Sequence, residues 1–303
     1  MANIPEFPAY ARVDSRVRDQ ISEFTEGHLP YSDFNSVNIQ SWDLAGTAQV
    51  TMLNQNLVLR LPDYVDGTEF FSFLGNNEVN STADVLLDEA ERHSNRRELR
   101  LVPEIGAIAL ERSGLFEVQE DLDGHDYVLS LPAIVAKFGR GFRNMRRAIN
   151  TFETKYGPST TFQELDIANP LVQSKIIDVF LGREEVKTGN DYKSELEALG
   201  RLFTYADHQQ LASYGLEIGG ELKAFIIYEK LGNQWCVGHF WKADTNYKGV
   251  YRYLMYGLAE KLSAEGYSHF NIEQDLGIAG LKQMKRLFCP VGRLKKYTIT
   301  DQL

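Results

Sequence analysis

Glu273, Gln274 and Asp275 stand in a row at the end of a short β-rich run, residues 268–272, and Gly277 and Gly280 follow them. Between Leu276 and Thr300 there are six basic residues (Lys282, Lys285, Arg286, Arg293, Lys295, Lys296) and no acid. A carboxylate at the C-terminal edge of a strand can take a proton or hold an ammonium group. A cationic helix entered through glycines suits an anion. The stretch therefore fits an anionic ligand with a reacting amine or hydroxyl beside it. The plain alternative is a strand–loop–helix edge whose lysines are merely solvated.

Two further groups could serve the same chemistry. Lys242 and Asp244 follow the expected strand 235–241 and can reach the same pocket; an exposed ion pair is the alternative. Tyr247 and Tyr251 offer hydroxyls or stacking faces, or simply pack in the core. The segment 131–156 carries six basic residues and one acid, Glu153. Its Phe138, Phe142, Met145, Ile149 and Phe152 recur at steps of four, three, four and three, which predicts one long helix with an apolar face. Arg140, Arg143 and Arg147 fall on another stripe. Together with Lys285, Lys295 and Lys296 they could hold phosphates, unless the stripe is only a solvated face.

Composition limits the alternatives. A chain of 303 residues with 43% hydrophobic and 12% aromatic content builds one large or two ordinary domains. A net charge of -10 argues against indiscriminate nucleic-acid binding. Cys236 and Cys289 give neither a disulfide framework nor a metal spacing. The six histidines (His28, His93, His125, His208, His239, His269) show no metal spacing either, and His239, beside Phe240 and Trp241, reads as structural. There is no G-x-S-x-G elbow, P-loop or C-x-x-C. No apolar run approaches the roughly 18–20 residues of a membrane span, and the N-terminus has no basic-then-apolar leader. A cytoplasmic protein without metal or cofactor is expected.

Strands are expected at residues 48–53, 56–61, 70–74 and 98–102, with a helix at 83–93 capped by Ser81 or Thr82 and another at 103–112. Residues 116–119 and 126–130 flank Asp123-Gly124 and suggest a hairpin. After the long helix come helices 169–181 and 191–203, strands 211–218, 222–229 and 235–241, helix 247–265, strand 268–272, a helix to Phe288 and a last strand 294–300. This is the element order of an acetyltransferase-type (GNAT) fold, and the first half is a degenerate version of it. The expected architecture is α+β: two tandem GNAT-like units with mixed, mostly antiparallel sheets flanked by helices. The expected partition is residues 1–130, a basic connecting helix 131–157, and 158–303 with the active site.

The run FNIEQDLGIAGLKQMKRLFCPVGRLKKYTI resembles the C-terminal domain of phosphatidylglycerol lysyltransferases and their soluble relatives, which carry a similar N-x-EQDLGI-x-GL-x-x-x-K…PV…KKY pattern. FWKADTNYKGVYRYL, KFGRGFRNMRRAINTFETKYG and, more weakly, YSDFNSVNIQSWD support the resemblance in consistent order along most of the chain. The resemblance implies the same tandem architecture. It also implies acyl transfer from aminoacyl-tRNA to an amine or hydroxyl. An activated ester needs only alignment, a proton relay and oxyanion stabilisation. Glu273 and Asp275, with Lys242 and Asp244, are then the candidate catalytic residues. Asn271, Gln274, Tyr247, Tyr251, Gly249, Arg140, Arg143, Arg147, Lys285, Lys295 and Lys296 are the candidate binding residues.

Coenzyme A is disfavoured. The pyrophosphate loop (Q/R)-x-x-G-x-(G/A) is here Asn246-x-x-Gly249-x-Tyr251, where a tyrosine fills a position that must be small for backbone to approach phosphate. Lipid-modifying members carry a membrane-spanning region that this sequence lacks, so the acceptor could equally be a peptide, a small metabolite or a lipid headgroup. An acyl-CoA N-acyltransferase with an atypical loop and a non-catalytic RNA- or anion-binding module remain as alternatives.

Overall fold

The computed structural model describes residues 4–63, 67–182, 190–207 and 210–302, so His208 lies outside the described residues. The first half runs β1 (Ala11–Arg12), α1 (Ser15–Thr25), α2 (Ser36–Trp42), β2 (Gln49–Leu53), β3 (Asn56–Pro62), β4 (Glu69–Leu74), α3 (Val79–Ser94), β5 (Glu98–Pro103), α4 (Glu104–Ser113), β6 (Phe116–Glu120) and β7 (Asp126–Ser130). Then follow α5 (Leu131–Ala136), α6 (Arg143–Tyr156), β8 (Thr160–Glu164), α7 (Pro170–Leu181), α8 (Asn190–Phe203), β9 (Leu211–Ile218), β10 (Glu221–Lys230) and β11 (Trp235–Ala243). The chain closes with α9 (Val250–Ala264), β12 (His269–Asn271), α10 (Ala279–Arg286), β13 (Gly292–Leu294) and β14 (Lys296–Asp301).

Two seven-stranded sheets result, ordered β1-β2-β3-β4-β5-β14-β6 and β13-β7-β12-β11-β10-β9-β8. Tight turns make the antiparallel neighbours. Asn54-Gln55 and Asn233-Gln234 hold φ of 51°, 62°, 54° and 66°, the left-handed pairs that match strand twist. A parallel pair arises in each sheet where a helix crosses over: α3 between β4 and β5, and α9 between β11 and β12. Each sheet thus contains a meander, a crossover helix and a parallel strand, which is the expected repeat. The α+β class with two tandem units is what the structure has.

Three expectations fail. Residues 116–119 and 126–130 do not form a hairpin: β6 pairs with β14, and β7 pairs with β12. The last strand does not close the second sheet; β14 lies between β5 and β6 in the first. The helix 131–156 is not continuous. It stops where Lys137 turns to φ 48° and Gly139 to φ 88°, and restarts at Arg143. Pairing between distant strands overrides chain order. One compact unit comprises Met1–Asp126, Gln274–Gly277 and Leu294–Leu303, and the other Tyr127–Glu273 and Ile278–Arg293, in place of a division at 130 and 157.

In the first unit Phe71, Phe73, Leu86, Leu87, Leu99, Val102, Leu110 and Ile299 close the core between sheet and helices α3 and α4. In the second, Leu254, Leu258 and Leu262 recur along α9 and pack with Ile226, Phe270, Met145 and Phe152. Each such fully buried side chain contributes roughly 2 kcal/mol. Helix starts follow their sequence signals. Asn35 accepts from the Asn38 N–H, and Asn169 from the Leu171 N–H ahead of Pro170. Helix α3 begins at Val79, four residues before the expected start at Ala83; Thr82 lies inside it and accepts from the Asn54 and Asn56 side-chain amides.

Candidate functional site

In the second unit β11 and β12 run side by side only from Trp235↔His269 to Val237↔Asn271. Strand β12 then ends, while β11 continues along β10 to Ala243. Beyond that point the two strands are no longer paired. Gly238 stands just past the last pair. A Cβ there would meet the Phe270 ring at 2.8 Å, so only glycine lets the ring lie across the strand. The register between β10 and β11 slips at the same place: Ile227 opposes Phe240 and Tyr228 opposes Gly238, which leaves His239 as the extra residue of a β-bulge. A bulge re-aims the side chain it carries.

The bulge turns His239 into a buried row of titratable groups. Its Nε2 lies 3.6 Å from the Glu229 carboxylate and its Nδ1 4.0 Å from that of Glu273. Neither ring nitrogen makes a hydrogen bond among the described residues. Glu229 and His239 are buried, whereas the Glu273 side chain keeps 20% of its surface exposed. The row therefore runs from a partly exposed carboxylate to the interior. Glu273 is placed by Asn271, whose Oδ1 accepts the Glu273 N–H at 2.7 Å and folds the chain back just after β12. Glu273 takes φ 61°, and its carbonyl accepts from the Tyr127 N–H at 3.1 Å.

Aromatic and cationic groups pack together elsewhere in the same unit. Trp241 packs on Phe288, with ring centroids 4.4 Å apart, and edge-on to Tyr251 at 5.6 Å. Its indole N–H is buried without an acceptor among the described residues. Arg252, one residue further along α9, is half-buried, and burial lowers its pKa. Such groups can pack an apolar chain and meet negative charge as it develops.

The remaining predicted residues divide sharply. Lys285 is 5% exposed; its ammonium donates to the Ile272 carbonyl and lies 5.9 Å from the Tyr127 ring centroid. It braces the turn after β12 and does not face phosphate. Lys242 pairs with Glu195. Asp244 lines a different cleft of about 310 Å³ with Lys175, Asp178, Glu221 and Lys223. Tyr247 packs edge-on against Tyr156 at 5.0 Å. Gly249, at φ +93°, caps α9, but a Cβ there would lie 2.5 Å from the Ala148 carbonyl oxygen. Its small size lets α6 approach α9 closely. Arg140, Arg143 and Arg147 are exposed.

Gln274, Asp275, Lys295 and Lys296 belong to the first unit. Lys296 is 0% exposed. Its ammonium donates to Asp33, to Asp126 at 2.7 Å, to the Gln274 side-chain oxygen at 2.7 Å and to Ser32 Oγ at 3.3 Å. Asp126 also accepts the Ser32 N–H at 2.8 Å and O–H at 2.7 Å. Burial alone would lower the lysine pKa, but the Asp126 and Asp33 carboxylates outweigh it and hold the pKa above its ordinary value. Burial raises the Asp33 pKa against the pull of Lys296. The Lys296 N–H donates to His125 Nδ1 at 3.1 Å, so the other ring nitrogen of His125 donates to Glu120 at 2.9 Å. One Asp33 oxygen, Oδ1, stays buried without a partner among the described residues, and the enclosed lysine does not offer a phosphate contact. Lys295 pairs with Glu120 at 3.3 Å, and Asp275 is buried and accepts the Gly277 N–H at 3.0 Å.

The sequence reading marked Glu273 and Asn271; it did not mark Glu229, and it read His239 as structural. Gly238 beside His239 was the available signal, since glycine inside a strand marks a bulge or a close approach. Among the described residues no cluster of histidine, cysteine and acid could hold a metal ion. None of their helices is long and apolar enough to cross a membrane.

Residues 49–300 match the family described as phosphatidylglycerol lysyltransferase, C-terminal. No curated protein matches the chain. Among solved structures, a conserved protein of unknown function from Bacteroides thetaiotaomicron VPI-5482 is 22% identical, with TM-score 0.83 over 97% of this chain and 99% of the other. The C-terminal domain of a putative lysylphosphatidylglycerol synthetase from Agrobacterium fabrum is 12% identical, with TM-score 0.60 over 95% and 92%. A tandem GNAT protein of the clavulanic acid biosynthesis pathway is 11% identical, with TM-score 0.50 over 96% and 97%. At these identities the likeness is one of fold.

Proposed function

The chain belongs to the phosphatidylglycerol lysyltransferase C-terminal family, and from that premise we propose that its second unit transfers an aminoacyl group from aminoacyl-tRNA to an amine or hydroxyl acceptor. The observation that carries this reading is the row Glu273–His239–Glu229 at the parting of β11 and β12. Glu273, at the exposed end, takes the proton of the attacking nucleophile. A new bond forms between that nucleophile and the aminoacyl carbonyl carbon, and the ester bond to the tRNA ribose breaks. The proton returns through Glu273 to the departing ribose oxygen, while His239 and Glu229 hold the carboxylate in place. Separations of 3.6 and 4.0 Å are longer than hydrogen bonds and would tighten around bound substrate. The Trp241 indole N–H is the donor available to the carbonyl oxygen as negative charge builds on it.

No cofactor is needed, because the ester is already activated. Coenzyme A fits poorly: the glycine that would admit its pyrophosphate instead admits the Ala148 carbonyl. Charged tRNA is a cytoplasmic species, and the proposal places the protein there. The test is a transfer assay with a pool of radiolabelled aminoacyl-tRNAs, with and without cell extract as acceptor source. Accelerated loss of label from tRNA for one amino acid is the expected result. No loss for any amino acid, together with thermal stabilisation by coenzyme A, would overturn the reading in favour of a thioester enzyme.

A further inference from the structure

Strand pairing in the first unit repeats that of the second. Strands β4 and β5 are parallel partners only at Phe71↔Leu99. Past that pair β4 stays with β3 as far as Leu74, and β5 stays with β14 as far as Pro103. Glu104 comes directly after β5, much as Glu273 comes two residues after β12. The C-terminal ends of parallel strands that separate in this way are where open sheets hold ligands. A cleft of about 310 Å³ lies at these ends. Leu74, Ile105 and Ile108 give it an apolar wall, and His28, Tyr31 and Glu104 line it with polar groups. The polar groups suit a donor. His28 Nδ1 lies 3.2 Å from the Phe24 carbonyl oxygen. A carbonyl only accepts, so Nδ1 carries the proton and the neutral ring keeps a lone pair on Nε2. Stacking on Phe24, with centroids 5.1 Å apart, fixes the ring. Tyr31 is buried and adds a phenol oxygen. The Glu104 carboxylate accepts the Tyr297 O–H at 3.4 Å. Among the described residues no lysine or arginine pairs with it; Lys295 pairs with Glu120 instead.

We propose that this cleft of the first unit binds a small aliphatic primary amine. The ammonium group has three N–H donors, and Glu104, His28 and Tyr31 offer it a carboxylate, an imidazole lone pair and a phenol oxygen. The hydrocarbon chain lies along Leu74, Ile105 and Ile108, where it leaves water. The cleft stands at the lower end of the roughly 300–1,000 Å³ range of ligand pockets, so the chain is short. Charge decides between ligand classes of the same length. A carboxylate would meet the like charge of Glu104, and an alcohol would bring one donor and no charge to a carboxylate that has no cationic partner. The cleft is built from residues of the first unit alone. The proposal therefore stands whether or not the second unit transfers aminoacyl groups.

The test is calorimetric titration of the whole protein with n-butylamine, n-hexylamine, hexan-1-ol and hexanoate at one ionic strength. Saturable binding of hexylamine is expected, with hexanol about tenfold weaker and hexanoate weaker still. Each methylene between butylamine and hexylamine should tighten binding about fourfold. Glu104→Gln should weaken hexylamine about tenfold and leave hexanol binding unchanged, which also shows that the cleft is still folded. Ile108→Ala should weaken the amine and the alcohol by similar factors. Hexanoate binding as tightly as hexylamine, no saturable binding of hexylamine, or unchanged hexylamine affinity in Glu104→Gln would overturn the proposal. Loss of hexylamine binding in Glu273→Gln, with Glu104→Gln binding as the wild type does, would place the amine in the second unit and overturn it too.

Discussion

Each unit buries a cluster of charge, and the two clusters are finished differently. In the first unit the Lys296 ammonium meets four oxygen groups, from Asp33, Asp126, Gln274 and Ser32, and Asp126 takes two further hydrogen bonds from Ser32. In the second, His239 lies between two carboxylates at 3.6 and 4.0 Å and completes no hydrogen bond with either. A buried lysine with four oxygen partners holds a fold together, whereas a histidine close to two carboxylates and bonded to neither suits the proton transfer proposed above. The sequence motif covers both, since Glu273 belongs to one unit and Gln274 and Asp275 to the other. On the proposed reading, motif residues serve two purposes: some maintain the fold and others carry the chemistry.

The contrast is broken most directly by removing the lysine. Lys296→Met leaves Asp33 and Asp126 buried without their counter-charge and should cost about 3–5 kcal/mol, read as a lower urea midpoint. An unchanged midpoint would show that the cluster is not structural. Gly249→Ala is next in size. The left-handed backbone and the 2.5 Å approach of the Ala148 carbonyl should make it roughly 1–3 kcal/mol less stable in a thermal melt. If the variant melts with the wild type, the packing of α6 on α9 is looser than described.

The smallest effect is in pH. Lys296 holds its proton more tightly in the folded chain than in the unfolded one. Its contribution is therefore complete below the ordinary lysine value of about 10.4 and is lost as pH rises through the native value. Burial pushes the Cys236 thiol up to about 12, with the same sign. The urea midpoint should fall from about pH 9 upward and more steeply above about 10. A midpoint that is flat to about pH 11 would contradict the buried lysine cluster.

Local signals made most elements legible. Asn54-Gln55 fixed a hairpin and Asn169-Pro170 a helix start, and both are present. The long helix misled because Met145, Ile149 and Phe152 do continue an apolar face, whereas Phe138 at the same spacing points into solvent. The glycines at 139 and 141 carried the contrary signal. The pairing of β14 with β5 and β6 was not legible, since no local pattern specifies a partner almost two hundred residues away. At the site, Glu273 and the turn-making Asn271 were visible in the motif. Glu229 was not, because only a bulge in a neighbouring strand brings His239 to it. The lysines were over-read: a cationic run shows charge but not which ammonium groups are buried.

The most direct test compares single-turnover aminoacyl transfer by wild type, Glu273→Gln and Asp275→Asn at equal folded concentration. Loss of the Glu273 base should slow transfer by about 10²- to 10⁴-fold with an unchanged urea midpoint, while Asp275→Asn, in the structural unit, should change stability more than rate. Full transfer by Glu273→Gln would contradict the assignment of the open cluster to catalysis.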